Sequence, residues 1–231
     1  METIDKKYLT PTEMIDSDHP EIIAYALAKI GDAAEDTEKA VRLFYGVRDD
    51  IRYDPYVPFY LPEHYRASNV LRSKRGYCVG KAALLCALGR VCSIPSRVGF
   101  ATVRNHLLTK ELFQMLGTDV FVYHGFTEFF LNGVWIKATP TFNIELCRKH
   151  NVPPLEFNGR EDCVFQAFNL EAKQFMQYLA FHGSYADIPV DRIVAAWEET
   201  YGRDRVRAWI ADHENKKAAT RNFFEETVLK T

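Results

Sequence analysis

The first third of the chain alternates between helical spacing and an aromatic loop. Apolar residues recur at helical intervals over 20–34, where Pro20 suits the first turn of a helix. A second amphipathic run starts at Thr37 and is predicted to end over 51–54. The segment 56–65 is rich in aromatic residues and proline without a regular period, which favours an ordered loop.

A helix that is apolar on almost every side is predicted over 79–92. Except for Lys81 and Arg90, nearly every residue there is apolar or small, which is typical of a helix buried on most of its circumference. Pro95 follows its end, and the run 97–103 has the composition of a first strand. We therefore expect this helix to lie at the centre of the fold.

The clearest local pattern predicts a β-hairpin. Two β-rich runs, 120–131 and 134–138, flank an Asn-Gly pair at 132–133, a preferred two-residue turn. The turn places His124 and Thr139 on one face as diagonal neighbours, at a backbone separation of about 7–8 Å. The predicted register opposes Leu131 and Val134, Phe130 and Trp135, Glu128 and Lys137, Phe126 and Thr139, and His124 and Thr141.

The residues after Glu161 favour further helices. Segments with helical spacing or composition are 168–181, 193–201 and 206–213, followed by a mostly polar tail over 214–231 that is predicted as a surface helix. We see no repeat or flexible linker in the sequence. We expect one domain over 1–160, and a C-terminal helical extension over 161–231 that packs on it.

Composition narrows the classes of function. The 231 residues are 47% hydrophobic and 26% charged, which is ordinary for a soluble chain with one substantial core. A net charge of -2 supplies no field that favours nucleic acid or an anionic membrane. The five cysteines lack disulfide spacing, and we see neither a signal peptide nor a membrane-spanning apolar run. A cytoplasmic protein without nucleic-acid or membrane partners is therefore expected.

Cys78 is the leading candidate for chemistry because it opens the apolar helix directly after Gly76 and Tyr77. Helix N-termini favour negative charge and present unpaired N–H groups, so the reactive thiolate and an oxyanion are both stabilised there. His124 on the hairpin is the candidate base. Glu128 and Lys137 are expected to form a cross-strand ion pair.

We expect no metal and no cofactor. A zinc site would have to combine Cys78, Cys86, Cys92 and His106, which lack the usual Cys-x-x-Cys spacing. Cys86 and Cys92 are more simply core residues, because cysteine is among the most buried residue types.

The surroundings of Cys78 and His124 resemble the transglutaminase-like superfamily of papain-type thiol enzymes. Gly76-Tyr77-Cys78 and Ile94-Pro95-Ser96-Arg97 are similar to its cysteine block, and His124-Gly125-Phe126-Thr127-Glu128 before Gly133-Val134-Trp135 is similar to its histidine block. The resemblance covers roughly residues 20–145. It implies an α+β fold with a papain-like core: a central helix with an N-terminal cysteine packs on an antiparallel sheet, and C-terminal helices are added.

Thr139 departs from the family pattern. The sequence Thr139-Pro140-Thr141 stands where the family has Asp-Pro-Thr, whose aspartate orients the histidine. A hydroxyl still accepts a hydrogen bond from the ring, but it lacks the charge that stabilises imidazolium. We therefore predict Thr139 as the third catalytic residue, with Asn143 and Asp119 as substitutes outside the motif.

Two functions remain open at this point. The first is acyl transfer or hydrolysis on an amide, through a thioacyl-enzyme intermediate on Cys78; the substrate is a peptide, a protein with a glutamine-like side chain, or a small amide. The second is a catalytically weak or inactive domain that serves as a binding module, because Thr139 replaces the acid. The choice between water and amine, and the oligomeric state, do not follow from the sequence.

Overall fold

Helices surround one face of an antiparallel sheet in the computed structural model, which describes residues 4–215 and 221–228. The helices are α1 (Pro20–Ile30), α2 (Asp36–Asp50), α3 (Ala67–Ser73), α4 (Cys78–Val91), α5 (Lys110–Leu116), α6 (Ile144–Lys149), α7 (Val190–Tyr201) and α8 (Arg203–Glu214). The strands are β1 (Arg52–Tyr53), β2 (Arg75–Gly76), β3 (Ser96–Asn105), β4 (Val120–Leu131), β5 (Val134–Ala138) and β6 (Met176–Tyr185).

The first two helices occur where the spacing predicts them. The ring nitrogen Nδ1 of His19 accepts a hydrogen bond from the backbone N–H of Glu21, so His19 caps α1 ahead of Pro20. Helix α2 ends at Asp50, and the short strand β1 follows it to pair in parallel with β2. This pairing brings the end of α2 close to the start of α4.

Helix α4 is the central helix, as predicted: every residue from Cys78 to Arg90 is buried. Its two charged side chains are satisfied inside the protein. Lys81 donates to the carbonyls of Arg48 and Ile51 at 2.9 and 2.6 Å, and so caps the end of α2. Burial lowers the pKa of Lys81 to about 7.

Arg90 anchors the other end of α4. Its guanidinium donates to the carbonyls of Ser96, Thr10 and Ala186, which belong to three separate parts of the chain. Polar groups at both ends of α4 are therefore bound to surrounding backbone.

The four-stranded sheet has the order β5-β4-β3-β6, and each neighbouring pair is antiparallel. The hairpin register is confirmed, since Leu131 pairs with Val134 and Glu128 with Lys137. The ladder ends with Thr127 and Ala138, so the two outermost predicted pairs, of Phe126 with Thr139 and of His124 with Thr141, do not form.

The ladder ends because the segment around Cys163 pairs with the backbone at the end of β5. The N–H of Thr139 donates to the carbonyl of Cys163 at 3.1 Å, and the N–H of Cys163 donates to the carbonyl of Lys137 at 2.8 Å. Pro140 then has no N–H with which to continue a strand.

The predicted ion pair between Glu128 and Lys137 is wrong, although the two residues are opposite each other. Glu128 instead accepts hydrogen bonds from Arg97 and from the hydroxyl of Ser184, both at 2.6 Å. Lys137 binds Asp162 at 2.7 Å. Glu128 therefore connects β4 to its neighbours β3 and β6.

The helix predicted over 168–181 is also wrong, because β6 (Met176–Tyr185) pairs with β3 in the sheet. The helices predicted over 193–201 and 206–213 are confirmed as α7 and α8. The segment 161–231 thus contributes a strand as well as helices.

The surface helix predicted over 214–231 does not form in the described part of that tail beyond α8. Residues 221–228 contain a single 3-10 turn, Phe223–Glu225, and 216–220 and 229–231 lie outside the described residues.

Candidate active site

Cys78 begins α4, and β4 passes directly over this first turn. Tyr77, at the cap position, makes no side-chain hydrogen bond to the helix end. A Cβ atom on Gly125 would lie 2.9 Å from the Cα of Val79, so only glycine permits this close approach of the strand backbone. The approach brings the N–H of Gly125 to the sulfur of Cys78.

Two opposing effects act on the Cys78 thiol. Burial raises its pKa, while hydrogen bonds from the backbone N–H groups of Gly125, Val79 and Cys78 itself lower it. The effect of burial is the larger one, because Cys78 is only 9% exposed, and the pKa of its thiol is about 11. The N–H groups expected at the helix end are present, but the thiol is protonated in this closed state.

His124 lies on β4 and lines the same cavity as Cys78. Its ring packs against Phe165, with centroids 5.0 Å apart, and is 4% exposed. Burial lowers the pKa of His124 to about 3. Within the described residues no hydrogen bond joins the His124 ring to Cys78. The Nε2 atom of His124 is buried and has no hydrogen-bond partner there. The two groups therefore line one cavity and are both neutral.

Thr139 follows the end of β5 and is fully buried. Its hydroxyl has no hydrogen-bond partner among the residues that the structure describes, and the same holds for the Thr141 hydroxyl. Thr141 lines the cavity, whereas Thr139 does not. No hydrogen bond joins Thr139 to His124; the Thr139 hydroxyl lies instead beside the Tyr178 phenol, where it opposes the burial that raises the pKa of that group.

The two proposed substitutes for the missing acid are engaged elsewhere. The side-chain oxygen of Asn143 accepts from the N–H of Tyr53 at 3.0 Å, and Asp119 binds Arg104 at 3.3 Å. Neither contacts His124.

The cavity that Cys78 and His124 share has a volume of about 50 Å³, room for one or two water molecules. Among the residues that the structure describes, none but His124 brings a charged or titratable nitrogen to its wall, which is mostly aromatic and aliphatic. Met115 on α5 and Trp197 and Tyr201 on α7 form the cover that sequence reasoning missed. The only signal for the cover is the helical spacing of Trp197 and Tyr201.

Helix α7 is fastened to β4 just before His124. The hydroxyl of Tyr201 accepts from the N–H of Val122 at 3.1 Å and donates to the carbonyl of Val120 at 3.3 Å. The Trp197 ring packs on Phe59 with centroids 4.4 Å apart and a tilt of 31°. Its indole nitrogen is buried and has no hydrogen-bond partner among the described residues. Helix α7 therefore covers the site.

The described residues contain no group of three or more histidine, cysteine or acidic side chains that is placed to hold a metal ion. None of their helices has the length and apolar character that crossing a bilayer requires.

None of the curated proteins matches the chain. Two solved structures share 18% identity with it: a "Putative Cysteine Protease from Cytophaga hutchinsonii", with a TM-score of 0.46, and a "putative protease from Parabacteroides distasonis ATCC 8503", with a TM-score of 0.39. The matches cover 77% and 55% of this chain, and 53% and 26% of those chains.

The family comparison is more extensive. The model of the transglutaminase-like superfamily matches residues 23–140, just over half of the chain. The matched region contains the cysteine block, the histidine block and Thr139, and it includes α4, β3, β4 and β5, while β6 lies outside it. The chain therefore belongs to the transglutaminase-like superfamily.

Proposed function

We propose that the protein is a thiol-dependent enzyme that acts on an amide through a thioacyl-enzyme intermediate. The observation that carries this proposal is that Cys78, the first residue of α4, and the His124 ring line one cavity. The substrate is a peptide, a protein side chain of the glutamine type, or a small amide. The superfamily match supports the thiol chemistry in general, and the particular reaction is our inference.

Each catalytic group has one role in the proposed reaction. His124 accepts the thiol proton, and the Cys78 sulfur attacks the carbonyl carbon. The N–H of Cys78 stabilises the oxyanion. The C–N bond then breaks, and His124 returns the proton to the departing amine. Water or a second amine attacks the thioester and releases the thiol. Thr139 orients the ring by accepting from its N–H.

The closed cavity imposes a requirement on this sequence of steps. In the described state the Cys78 pKa is about 11 and the His124 pKa about 3, because both groups are desolvated. Proton transfer from thiol to ring is then strongly unfavourable. Movement of the α7 cover is needed both to admit an amide and to rehydrate the pair.

The proposed function is tested by capture with 4-nitrophenyl acetate, which transfers its acetyl group to a reactive thiol and releases nitrophenolate. We expect Cys78→Ala to abolish the acetyl adduct in mass spectra and to retain the fold by circular dichroism. Cys86→Ala is the matched control, since Cys86 lies in the same helix and is also buried, with a pKa of about 11. Undiminished capture in Cys78→Ala would exclude Cys78 as the nucleophile.

A non-catalytic binding module is the second candidate. It is favoured by the small covered cavity and by the absence of a carboxylate at position 139. Under this alternative, 4-nitrophenyl acetate forms no acetyl adduct on Cys78 of the parent protein. The same holds when the α7 cover is displaced. An adduct at that residue would contradict the binding-module function.

A further inference from the structure

Strand β4 contains a β-bulge immediately before His124. His124 pairs with Ala101 of β3, whereas the next paired residues are Phe121 and Val103, so β4 contains one extra residue between the two pairs. Tyr123, inside the bulge, has a φ of 53° in the left-handed region, which a tyrosine rarely adopts. Bulges change the direction of neighbouring side chains. The direction of His124 therefore depends on how Tyr123 is held.

A second bulge lies on β6, the strand on the other side of β3, where it is opposite Phe100, whereas the bulge on β4 is opposite Thr102. Phe181 pairs with Ala101, and Ser184 pairs with Gly99, so His182 and Gly183 together oppose a single residue of β3. Gly183 has a φ of 85°, a conformation for which glycine is suited. A further register shift on β6 falls at Leu179, and the bulges before His124 and at His182 lie on opposite sides of β3.

The two bulges are joined by stacked rings. The rings of Tyr123 and His182 lie 4.7 Å apart between centroids and are nearly parallel, at 4°. On the intervening strand β3, the Thr102 hydroxyl lies 2.7 Å from Nε2 of His182, a hydrogen-bond distance. The hydroxyl of Tyr185 donates to the carbonyl of His182 at 3.0 Å. The His182 ring and its backbone are thereby both held in place.

We propose that His182 and Tyr123 are positioning residues for His124. The stack holds Tyr123 in its left-handed conformation, and the following peptide sets both the entry of the His124 ring into the cavity and the approach of the Gly125 N–H to Cys78. Without the stack, Tyr123 is free to return to the extended region that it prefers, and the direction of His124 changes with it. The proposal rests on the proposed function, because positioning matters only if His124 transfers a proton.

The test measures the first-turnover release of nitrophenolate from 4-nitrophenyl acetate as a function of pH and of ester concentration. We expect His182→Ala to slow acetylation of Cys78 by about 10- to 100-fold, a sizeable part of what a positioned base contributes. The half-saturating ester concentration should change little, and the midpoint of the pH profile should move to higher pH. His182→Phe retains a ring for stacking and should restore the rate to within about threefold of the parent.

Two further variants separate positioning from general destabilisation. His64→Ala removes another histidine ring that contacts a tyrosine, Tyr60, at 4.7 Å, and it lies outside the cavity wall. We expect parental acetylation from this variant. Thr102→Val removes only the hydrogen bond to His182 and should slow acetylation even if His182→Ala fails to fold.

The proposal is overturned if folded His182→Ala, or Thr102→Val in its place, retains the parental rate and pH profile. An equal loss of acetylation rate in His64→Ala and His182→Ala would likewise overturn it, because the effect would then come from general destabilisation. A parent protein that gives no Cys78-dependent acetylation would refute the proposed function, and the positioning role would fall with it.

Discussion

The cover over Cys78 is expected to suppress its reactivity by an amount that can be calculated. The pKa of this thiol rises from its ordinary value of 9.0 to about 11 because the site excludes water. The Trp197 ring forms part of the wall and lies 6.0 Å from the Tyr77 ring that precedes Cys78. Trp197→Ala removes this ring and should admit water to the thiol.

The expected magnitude follows from the titration of the thiol. Below its pKa, the thiolate fraction changes tenfold for each pKa unit, so a return from about 11 to 9.0 raises that fraction about 100-fold at neutral pH. This corresponds to about 3 kcal/mol less desolvation of the thiolate. We therefore expect a comparable increase in the alkylation rate of Cys78.

The assay is alkylation by iodoacetamide over about pH 6 to 10, followed by mass spectrometry of the peptides that contain Cys78 and Cys86. Cys86 provides an internal reference, because it is buried in the same helix but does not line the cavity. Trp135→Ala is the control variant, since it removes an indole from β5, away from the cavity wall. An unchanged rate at Cys78, or an equal increase at Cys86, would refute the reasoning.

Three other predictions concern the same site. Burial lowers the His124 pKa from 6.5 to about 3, so the neutral ring stabilises the fold above pH 6.5, and this contribution is lost as the pH falls towards 3. In urea titrations, the free energy of unfolding of His124→Phe should therefore decline less steeply over this pH range than that of the parent, by up to about 1.4 kcal/mol per pH unit. An unchanged slope would contradict this prediction. Thr139→Asp should speed acetylation by about tenfold, because a carboxylate stabilises the imidazolium, and a parental burst rate would show that the acid is not limiting. Gly125→Ala should lower the free energy of unfolding by about 1–3 kcal/mol, since its Cβ meets the Val79 backbone; Gly80→Ala, whose Cβ meets only the Val70 side chain, should be nearly neutral, and equal stabilities would contradict this.

Elements with local causes were predictable from the sequence. An Asn-Gly pair has few alternatives to a tight turn, and both Asn132 and Gly133 have the positive φ values that this turn requires. Helix α4 was recognisable because it is apolar around its whole circumference. Strand β6 was not, because most of its side chains are exposed or half-buried, and the alternation typical of a strand is weak. Its partner β3 lies more than 70 residues earlier in the chain, so pairing over a long range decides its conformation.

The candidate site divides in the same way. Cys78 and His124 stand in recognisable local motifs, and both line one cavity. Their ionisation was not predictable, because the sequence indicates the helix end that favours a thiolate but not the cover that desolvates it. Trp197 and Tyr201 close the site only through the packing of α7 against β4. The partners of Glu128 likewise depend on β3 and β6, and not on the hairpin alone.

The anchoring of α4 at both ends determines which catalytic group is able to adjust. Lys81 ties the first turns of this helix to the end of α2, and Arg90 ties its last turn to three backbone segments. Sliding or rotation of the helix would break buried hydrogen bonds at one end or the other. The sulfur of Cys78 is therefore the stationary member of the pair, and any approach between the proposed nucleophile and the proposed base has to come from the imidazole and the strand that holds it.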